Sequence, residues 1–402
     1  MSRLTAGTIV AKRYLAFARV LAQSFQQFHP GIPFFVLLAD QPEGCFDPRN
    51  EPFHLLTLAD LALPGAERLC FRYQQQELSY ALTPFLLRYL LDQGFDAAAF
   101  FKQESLVLDS LAPILALLDR RAIVLTPHLL APLSAGDVVR RELNILLSGL
   151  YNDGFIGVAS QPEARRFLNW WQDRLAEHCR HAVSEGMHYE QRWLDLVPGY
   201  FDSVHIVRDP GFNIGHWNLP ERQLLFDGER AQIDGQACRF MRFSGFDPDQ
   251  PQALTRYNAH LSLASIGPAT ALVTRYHTLL EAAGYQETSA WPYAYGRFDN
   301  GVPIPDAARR LYARLGAQHD AFGDPFDSAG RTSFFAWLQQ NADLPADPAA
   351  PISHLWHDIY QQRADLQAAF PDLAGADRHA FVEWVATRGV HEYAVPAVFI
   401  AD

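Results

Sequence analysis

The residues of the sequence that could do chemistry begin with a lysine and a glutamate that follow an apolar run. Residues 98–101 (AAFF) read as a buried strand, and Lys102 and Glu104 come directly after it. Ligands of open α/β sheets bind beyond the carboxyl ends of the strands, so this pair lies where a ligand is expected. A charged lysine cannot bind a metal ion, and Glu104 alone is a poor site for Mg²⁺ or Mn²⁺. Lys102 can instead stabilise negative charge on a bound group.

The elements that must position this pair alternate between apolar strands and amphipathic helices. The sequence predicts strands at 7–10, 33–39, 98–101, 122–126 and 155–158, and helices at 14–28, 78–91, 113–118 and 162–178. Such alternation predicts an α/β domain with a mostly parallel sheet that helices cover on both faces.

After about residue 251 the strand pattern fades and the sequence predicts mainly helices. They cover 307–315, 333–340, 352–369 and 378–388, with linkers rich in Pro, Asp and Gly between them. We therefore expect an α/β domain at 1–253 and a helical accessory domain at 254–402.

The composition of the chain narrows its function class. A net charge of −12 over 402 residues argues against nucleic acid as a partner. Four scattered cysteines without a CxxC pair are typical of a reduced, cytoplasmic protein. The sequence lacks a signal-peptide core and a run of about 18 apolar residues, so no transmembrane segment is expected. Peripheral membrane contact and a homo-oligomer stay open.

Several common catalytic motifs are missing from the sequence. It contains no Gly-x-Ser-x-Gly elbow, no phosphate-binding GxxxxGK[ST] loop and no GxGxxG fingerprint. Hydrolase, nucleoside-triphosphatase and dehydrogenase functions lose support accordingly. The histidine pairs His178/His181 and His354/His357 have no third ligand at a metal-binding spacing, so no metal site is expected there.

An ordered set of segments resembles a group of bacterial glycosyltransferases of GT-A fold, distantly similar to the glycogenin and lipopolysaccharide galactosyltransferase family. The segments are Thr8–Leu21, Glu77–Leu87, Gly94–Leu111, Val124–Leu133, Tyr151–Val158, Gln191–Asp195, Asp209–Arg222 and Arg242–Pro248. The tail, Gln367–Trp384, resembles an accessory segment found beside bacterial polysaccharide glycosyltransferases. Together these resemblances cover nearly the whole chain.

The resemblance implies transfer of a sugar from a nucleotide sugar to a bacterial polysaccharide or other glycoconjugate, and it suggests retention of anomeric configuration. Inversion, with Glu190 or Asp195 as the base, stays open. It places the nucleotide against the turn after the first strand and the strand before Lys102, through Thr8, Val10, Arg13, Tyr14 and Phe101. It places the donor sugar and its diphosphate against Asn152, Gly154, Glu190, Gln191, Trp217, Asn218, Ser244 and Gly245.

The chain departs from the family pattern at the residues that would hold a metal. The family's Asp-x-Asp reads Lys102-Gln103-Glu104, the histidine of its His-Phe-x-Gly is Arg242, and the Asp of its Asp-Gln pair is Glu190. A basic residue usual in the family is replaced by Thr83. Because two positions around the expected cation are themselves cationic, we expect Lys102 and Arg242 to replace the metal, with Glu104, Glu190 and Gln191 completing the catalytic set.

Each of these residues also has an ordinary structural interpretation. Asn152 and Gly154 could form a simple turn, Glu190 could be a solvated carboxylate at a helix start, and Trp217 could be a core residue. Asp195, four residues after Gln191, could share its face or be a surface charge. The sequence therefore leaves an alternative function, in which the chain is a catalytically inactive protein that binds sugar or nucleotide or serves as a scaffold.

Overall fold

The computed structural model describes residues 3–134, 136–258, 261–342, 344–345 and 347–400. The chain forms two compact units. The first unit consists of Met1–Leu63 and Gln76–Tyr293, and the second of Pro64–Gln75 and Ala294–Asp402. Residues 254–293 thus pack with the first unit, whereas the predicted division lies after residue 253.

The first unit is built on a seven-stranded sheet with the order β10-β6-β7-β4-β1-β2-β3. Its strands are β1 (Leu4–Val10), β2 (Phe34–Leu38), β3 (His54–Thr57), β4 (Ala97–Phe101), β6 (Ile123–Pro127), β7 (Tyr151–Ala159) and β10 (Val204–Ile206). All neighbouring pairs are parallel except those made by β7, which is antiparallel to β4 and β6. The predicted α/β class with a mostly parallel sheet is confirmed.

Smaller sheets flank the large one. They are formed by β5 (Ser105–Val107) with β14 (Phe240–Arg242), by β8 (His181–Ala182) with β9 (Met187–His188), and by β11 (Leu224–Phe226), β12 (Ala231–Ile233) and β13 (Gln236–Ala237). The sequence analysis did not predict these strands, because they are two or three residues long and carry no clear alternation.

The helices of the first unit cover the sheet. They are α1 (Leu15–Phe28), α3 (Gln75–Ala81), α4 (Thr83–Asp92), α5 (Ala112–Leu115), α6 (Val138–Ser148), α7 (Pro162–Leu175), α8 (Val197–Tyr200), α9 (Thr270–Ala282) and α10 (Tyr285–Thr288); α2 (Ala66–Arg72) belongs to the second unit. The helix predicted at 78–91 is divided into α3 and α4, because Pro84 lies in the first turn of α4 and cannot donate to the preceding turn.

Two apolar clusters stabilise the first unit. One joins α1 to the strands around Phe101 and Phe155. The other places Tyr276 of α9 against Phe17 of α1 and Phe243, which follows β14, with the Phe243 and Tyr276 rings stacked 3.8 Å apart. This second cluster is the reason why residues 254–293 pack with the first unit.

The second unit is helical, as the sequence predicted for this part of the chain. Its remaining helices are α11 (Asp306–Arg314), α12 (Phe334–Gln339), α13 (His354–Gln361), α14 (Ala364–Ala369), α15 (Arg378–Trp384) and α16 (Val390–Glu392). Phe71 of α2 lies in the core of this unit, 4.9 Å from the Tyr312 ring and 5.5 Å from the Phe334 ring. None of the helices described in either unit is long and apolar enough to cross a membrane.

Candidate functional site

The backbone of β4 and β7 brings Lys102 beside Asp153. Phe101 pairs with Phe155, and Lys102 donates its N–H to the Gly154 carbonyl at 3.1 Å. On its other edge β7 pairs with β6 through a register shift, from Leu125 opposite Ile156 to Thr126 opposite Asn152, so Asp153 lies in a bulge. Bulges re-aim side chains and are common beside active sites.

Lys102 is fully buried and makes two ion pairs. Its Nζ lies 3.0 Å from Oδ2 of Asp153 and is also paired with Oε1 of Glu190. The Tyr80 ring covers the ammonium, with its centroid 2.9 Å from Nζ. Lys102, which the sequence placed directly after a strand, is therefore bound by the side chains of two acidic residues from other segments.

Arg242 reaches the same carboxylate from a different sheet. It is the last residue of β14 and pairs with Ser105 of β5, which places it next to Glu104. Its Nη2 donates to Oε1 of Glu104 at 2.9 Å, and its Nη1 donates to Oδ1 of Asp153 at 2.7 Å. Lys102 and Arg242 thus converge on one point.

These contacts define a buried ionic cluster made of Lys102, Glu104, Asp153, Glu190 and Arg242. Burial raises the pKa of Glu190 well above its ordinary value, and the charge of Lys102 opposes this without cancelling it. Burial acts on Asp153 in the same direction, but the charges of Lys102 and Arg242 outweigh it and hold its pKa well below the usual range. With Glu190 protonated, two cations balance two carboxylates and the cluster is neutral.

A layer of amides surrounds the ionic cluster. Asn152 Oδ1 accepts from the Gly154 N–H at 2.9 Å, from Asn213 Nδ2 at 2.9 Å and from Arg242 Nη1 at 3.1 Å. Gln191 accepts the Asp153 N–H at 3.2 Å through its Oε1. A Cβ on Gly154 would lie 2.6 Å from Asn152 Oδ1, so glycine is required here. The turn interpretation of Asn152 and Gly154 is replaced by a packed polar network.

The ionic cluster lies against a cavity of about 750 Å³ in the first unit. Asp153 and Arg242 reach the cavity wall, together with the predicted residues Asn152, Gln191, Trp217 and Ser244. In the part of the chain that the structure describes, the lining carries a single carboxylate, that of Asp153, against four arginines, Arg140, Arg141, Arg242 and Arg256. Arg140, Arg141 and Arg242 also pair with carboxylates of the protein, so the positive charge available to an anionic ligand comes mainly from Arg256.

Four histidines also line the cavity, namely His128, His181, His188 and His216. Burial lowers the pKa of His128 and of His188 to about 4, and that of His216 to about 3. These three rings are therefore neutral at pH 7. The His128 Nε2 accepts a hydrogen bond from Asn152 Nδ2 at 2.9 Å, which joins it to the amide layer.

The residues predicted to contact the nucleotide lie elsewhere in the first unit. Thr8 and Val10 are buried in β1, and the Phe101 ring packs in the core against Phe155 at 5.2 Å. Arg13 and Tyr14 are exposed, with the guanidinium 5.8 Å from the ring centroid. None of these five is among the described residues that line the cavity.

The remaining predicted residues shape the cavity wall. Asn218 binds the Gly215 N–H and the carbonyls of His128 and Asn213, so its amide is used within the protein. Gly245 has φ of +76°, and a Cβ there would lie 2.6 Å from the Tyr257 ring. Gly245 therefore permits the close approach of the segment that carries Arg256 and Tyr257.

Sequence reasoning missed the residue at the centre of the site, Asp153. The sequence analysis assigns it no role, although it lies between two predicted site residues, Asn152 and Gly154. Tyr80, His128 and Arg256 were also missed, because no local motif marks them and only the fold brings them to the cavity. Thr83, which stands where the resembled family usually has a basic residue, is buried at the start of α4.

The carboxylates of the site are paired with lysine and arginine side chains of the same chain. Among the described residues, no group of three or more His, Cys, Asp or Glu side chains is arranged to hold a metal ion. Glu104, Asp153 and Glu190 each pair with Lys102 or Arg242. That Lys102 and Arg242 replace a metal stays a prediction.

Comparison with known proteins gives weak but consistent similarity. No family model matches the chain. Uncharacterized protein YfnF of Bacillus subtilis (strain 168) is 27% identical over 257 residues, which cover 60% of this chain and 80% of that protein. Uncharacterized protein YfnD of the same organism is 24% identical over 253 residues, covering 61% and 79%.

Two solved structures are also similar to the chain. The galactosyltransferase LgtC, in complex with donor and acceptor sugar analogues, is 16% identical, with 69% of this chain and 95% of that chain covered and a TM-score of 0.43. The glycosyltransferase GlyE of Streptococcus pneumoniae TIGR4 is 13% identical, with 74% and 67% covered and a TM-score of 0.42. The chain is thus similar to two Bacillus proteins in sequence and to two glycosyltransferases in structure.

Proposed function

We propose that this chain is a GT-A-type glycosyltransferase that moves a sugar from a nucleotide-sugar donor to a bacterial polysaccharide or other glycoconjugate acceptor without a divalent cation. The observation that carries the proposal is the convergence of Lys102 and Arg242 on Asp153, at the wall of a cavity whose lining is rich in arginine. The segments that resemble bacterial glycosyltransferases support the same class.

The two cations have different tasks in this proposal. Lys102 is buried behind the cavity wall, where its charge compensates Asp153 as a metal ion would. Arg242 borders the cavity, and with Arg256 it can stabilise the negative charge of a departing nucleoside diphosphate. Positive charge fixed before the reaction needs no reorganisation when the sugar–phosphate bond breaks.

The sugar would lie against the amide layer and the neutral histidines. Gln191 and Trp217 line the cavity, and an indole face with nearby amides suits a hydroxyl-rich ring. Glu190 is buried against Lys102, so it is not placed to take a proton from an acceptor. This favours retention of anomeric configuration over inversion by a carboxylate base.

A thermal-shift titration tests the donor site. Nucleoside diphosphates and nucleotide sugars are added one at a time, each with Mn²⁺ and with EDTA, and Tm is recorded. A bound donor raises Tm by mass action, and we expect the rise to be equal in EDTA. A rise that EDTA abolishes would contradict metal independence, and no rise with any nucleotide would contradict the donor site.

Matched variants make the titration specific. Arg256→Gln removes a cavity arginine whose side chain donates to the Tyr257 hydroxyl, so the ionic cluster stays intact. It should weaken diphosphate binding about tenfold, for the loss of one charge-assisted contact. Arg49→Gln is the control, because Arg49 is 88% exposed and pairs only locally with Asp47. Transfer is then followed as donor-dependent release of the nucleoside diphosphate.

A second candidate function has one specific observation in its favour. The ammonium of Lys102 is enclosed by Asp153, Glu190 and the Tyr80 ring, and Asp153 compensates its charge, so Lys102 offers no free charge to a ligand. A protein that binds sugar or nucleotide without turnover would have the same arrangement. EDTA-resistant donor binding with no release of nucleoside diphosphate, in the presence of acceptor glycans, would favour this function.

A further inference from the structure

Helix α6 has its apolar side on the outside of the protein. Val139, Leu143, Leu146 and Leu150, which follows the helix, are 67, 52, 51 and 42% exposed. None of the eleven residues of α6 is buried. A helix on the surface of a globular protein normally turns its apolar stripe toward the core, so this orientation is inverted.

The polar side of the same helix forms part of the cavity wall. At about 100° per residue, Val139, Leu143 and Leu146 fall within an arc of about 60°. Arg141, Asn144 and Ser148 fall on the opposite side and line the cavity, and Leu147, beside the apolar stripe, also lines it. Helix α6 therefore has the cavity on its polar side and an apolar stripe on the other side.

Contacts at both ends hold α6 in this orientation. Arg141 donates to Glu221 and, at 3.3 Å, to the Trp217 carbonyl. At the other end the Leu150 N–H donates to Oδ1 of Asp195 at 2.7 Å. The helix is thus fixed through its polar side, and the apolar stripe keeps facing outward.

We infer that α6 lies on the surface of a lipid bilayer, with the four aliphatic side chains of the stripe in the boundary between headgroups and acyl chains. The helix is about 16 Å long, which suits a position in the plane of the interface and not a span. An apolar face inserted by several ångströms is the usual binding mode of such interfacial helices.

The area of the stripe favours lipid over a second copy of the chain. The four side chains expose on the order of 400 Å², whereas a stable protein interface buries about 800 Å² on each partner. Among the charged side chains of this segment, Asp137 and Glu142 balance Arg140 and Arg141. Apolar burial therefore drives the binding, which should need no anionic lipid and should change little with salt.

The orientation of α6 also indicates how an acceptor would reach the cavity, an argument that rests on the proposed function. A bilayer against the outer side of α6 would lie about one helix diameter, roughly 10 Å, from the cavity. An acceptor sugar carried on a lipid would then reach the cavity from the membrane surface. The substrate class favoured by the structure is therefore a lipid-linked glycan.

Flotation with vesicles tests the inference on the full-length protein. Wild type is mixed with vesicles of phosphatidylcholine alone in 0.1 M and 0.5 M NaCl, and the floated fraction is measured. We expect flotation in both, and a loss of at least tenfold for Leu143→Gln/Leu146→Gln. The control Leu225→Gln/Val398→Gln changes two other aliphatic side chains, 40 and 43% exposed, and should float like wild type.

Several outcomes would overturn the inference. They are absence of flotation by wild type, flotation that needs anionic lipid and disappears at 0.5 M NaCl, and equal flotation of the two double variants. Sedimentation that shows a dimer broken by Leu143→Gln/Leu146→Gln would assign the stripe to a second copy. Flotation requires neither donor binding nor turnover, so its failure is distinguishable from failure of the proposed function, which the thermal-shift titration measures.

Discussion

Lys102 and Arg242 bind opposite oxygens of a single carboxylate, with Asp153 Oδ2 at 3.0 Å from the ammonium and Oδ1 at 2.7 Å from the guanidinium. One residue comes from the end of β4 and the other from the end of β14, so Asp153 ties two sheets together. Because all three side chains are buried, each depends on the others for compensation of its charge.

Removal of the ammonium should destabilise the first unit. Lys102→Met leaves Asp153 with Arg242 as its only cation, and we expect a loss of about 3 kcal/mol in the free energy of unfolding. Urea unfolding measures it. The control is Arg88→Met, which breaks a pair with Asp92 between partly exposed side chains and should cost less than about 1 kcal/mol. Equal losses would contradict the buried role of Lys102.

Glu190 should tolerate replacement of its carboxyl group by an amide. Burial raises its pKa above the unfolded value, so the folded state holds the proton and wild type loses stability as pH rises from about 4.5 toward the folded pKa. Glu190→Gln keeps the shape and cannot ionise. We expect it to be at least as stable as wild type at pH 7, with an advantage that grows with pH. A variant less stable than wild type at pH 8 would contradict the protonated state.

Gly154 should not accept a side chain. In Gly154→Ala the Cβ would lie 2.6 Å from Asn152 Oδ1 and 2.7 Å from Asn213 Oδ1, so the amide layer must move. We expect a loss of about 2 kcal/mol in thermal or urea unfolding, which is typical of overpacking. Gly31→Ala is the control, because a Cβ there meets no atom within 4 Å. Similar stability of both variants would contradict the packing argument.

His128 should make the stability of the first unit depend on pH. Its pKa is about 4 in the folded state and near 6.5 when unfolded, so the unfolded chain binds the proton first. Stability is fully present above pH 6.5 and falls as pH drops toward 4, by about 1.4 kcal/mol per pH unit. His128→Gln removes this contribution. The difference between wild type and variant should therefore shrink from pH 7 to pH 4.5, and a constant difference would refute the assignment.

Arg309 should be essential to the second unit. Its Nη1 donates to the carbonyls of Cys70, Phe71 and Tyr73 at 3.2, 2.6 and 3.1 Å. Arg309→Met leaves buried carbonyls without this donor, and we expect a loss of about 3 kcal/mol. Circular dichroism during heating measures it. Arg331→Met, at an exposed position of the same unit, should behave like wild type; a loss of equal size there would refute the argument.

The sequence predicted those parts of the fold that depend on continuous patterns. The central strands β1, β2, β4, β6 and β7 are apolar runs, and burial on both faces makes such runs visible. The direction of β7 was not predictable, because an apolar run does not record which way the strand points. Lys102 directly follows the apolar run of β4, so recognition of that strand was enough to place Lys102 at the edge of the sheet.

The centre of the site depends on register and therefore escaped prediction. Asp153 points toward Lys102 only because β7 contains a bulge, and Asn-Asp-Gly by itself is typical of a turn. Arg242 meets Glu104 because β14 pairs with β5, and both strands are too short to show a pattern. Arg242 is 89 positions from Asp153 and 138 positions from Glu104 in the sequence, so only the tertiary structure brings these residues together.

The segment Pro64–Gln75 belongs to the second unit, so the core of that unit cannot form until the last part of the chain has been synthesised. Phe71 belongs to the core of the second unit, yet its partners Tyr312 and Phe334 leave the ribosome more than two hundred residues later. Until then Phe71 has no core to enter, and the nascent chain carries the apolar side of α2, Cys70 and Phe71, without its partners. A protein shortened to 293 residues would keep that helix permanently without its partners, so the helical tail cannot be deleted as a separate module.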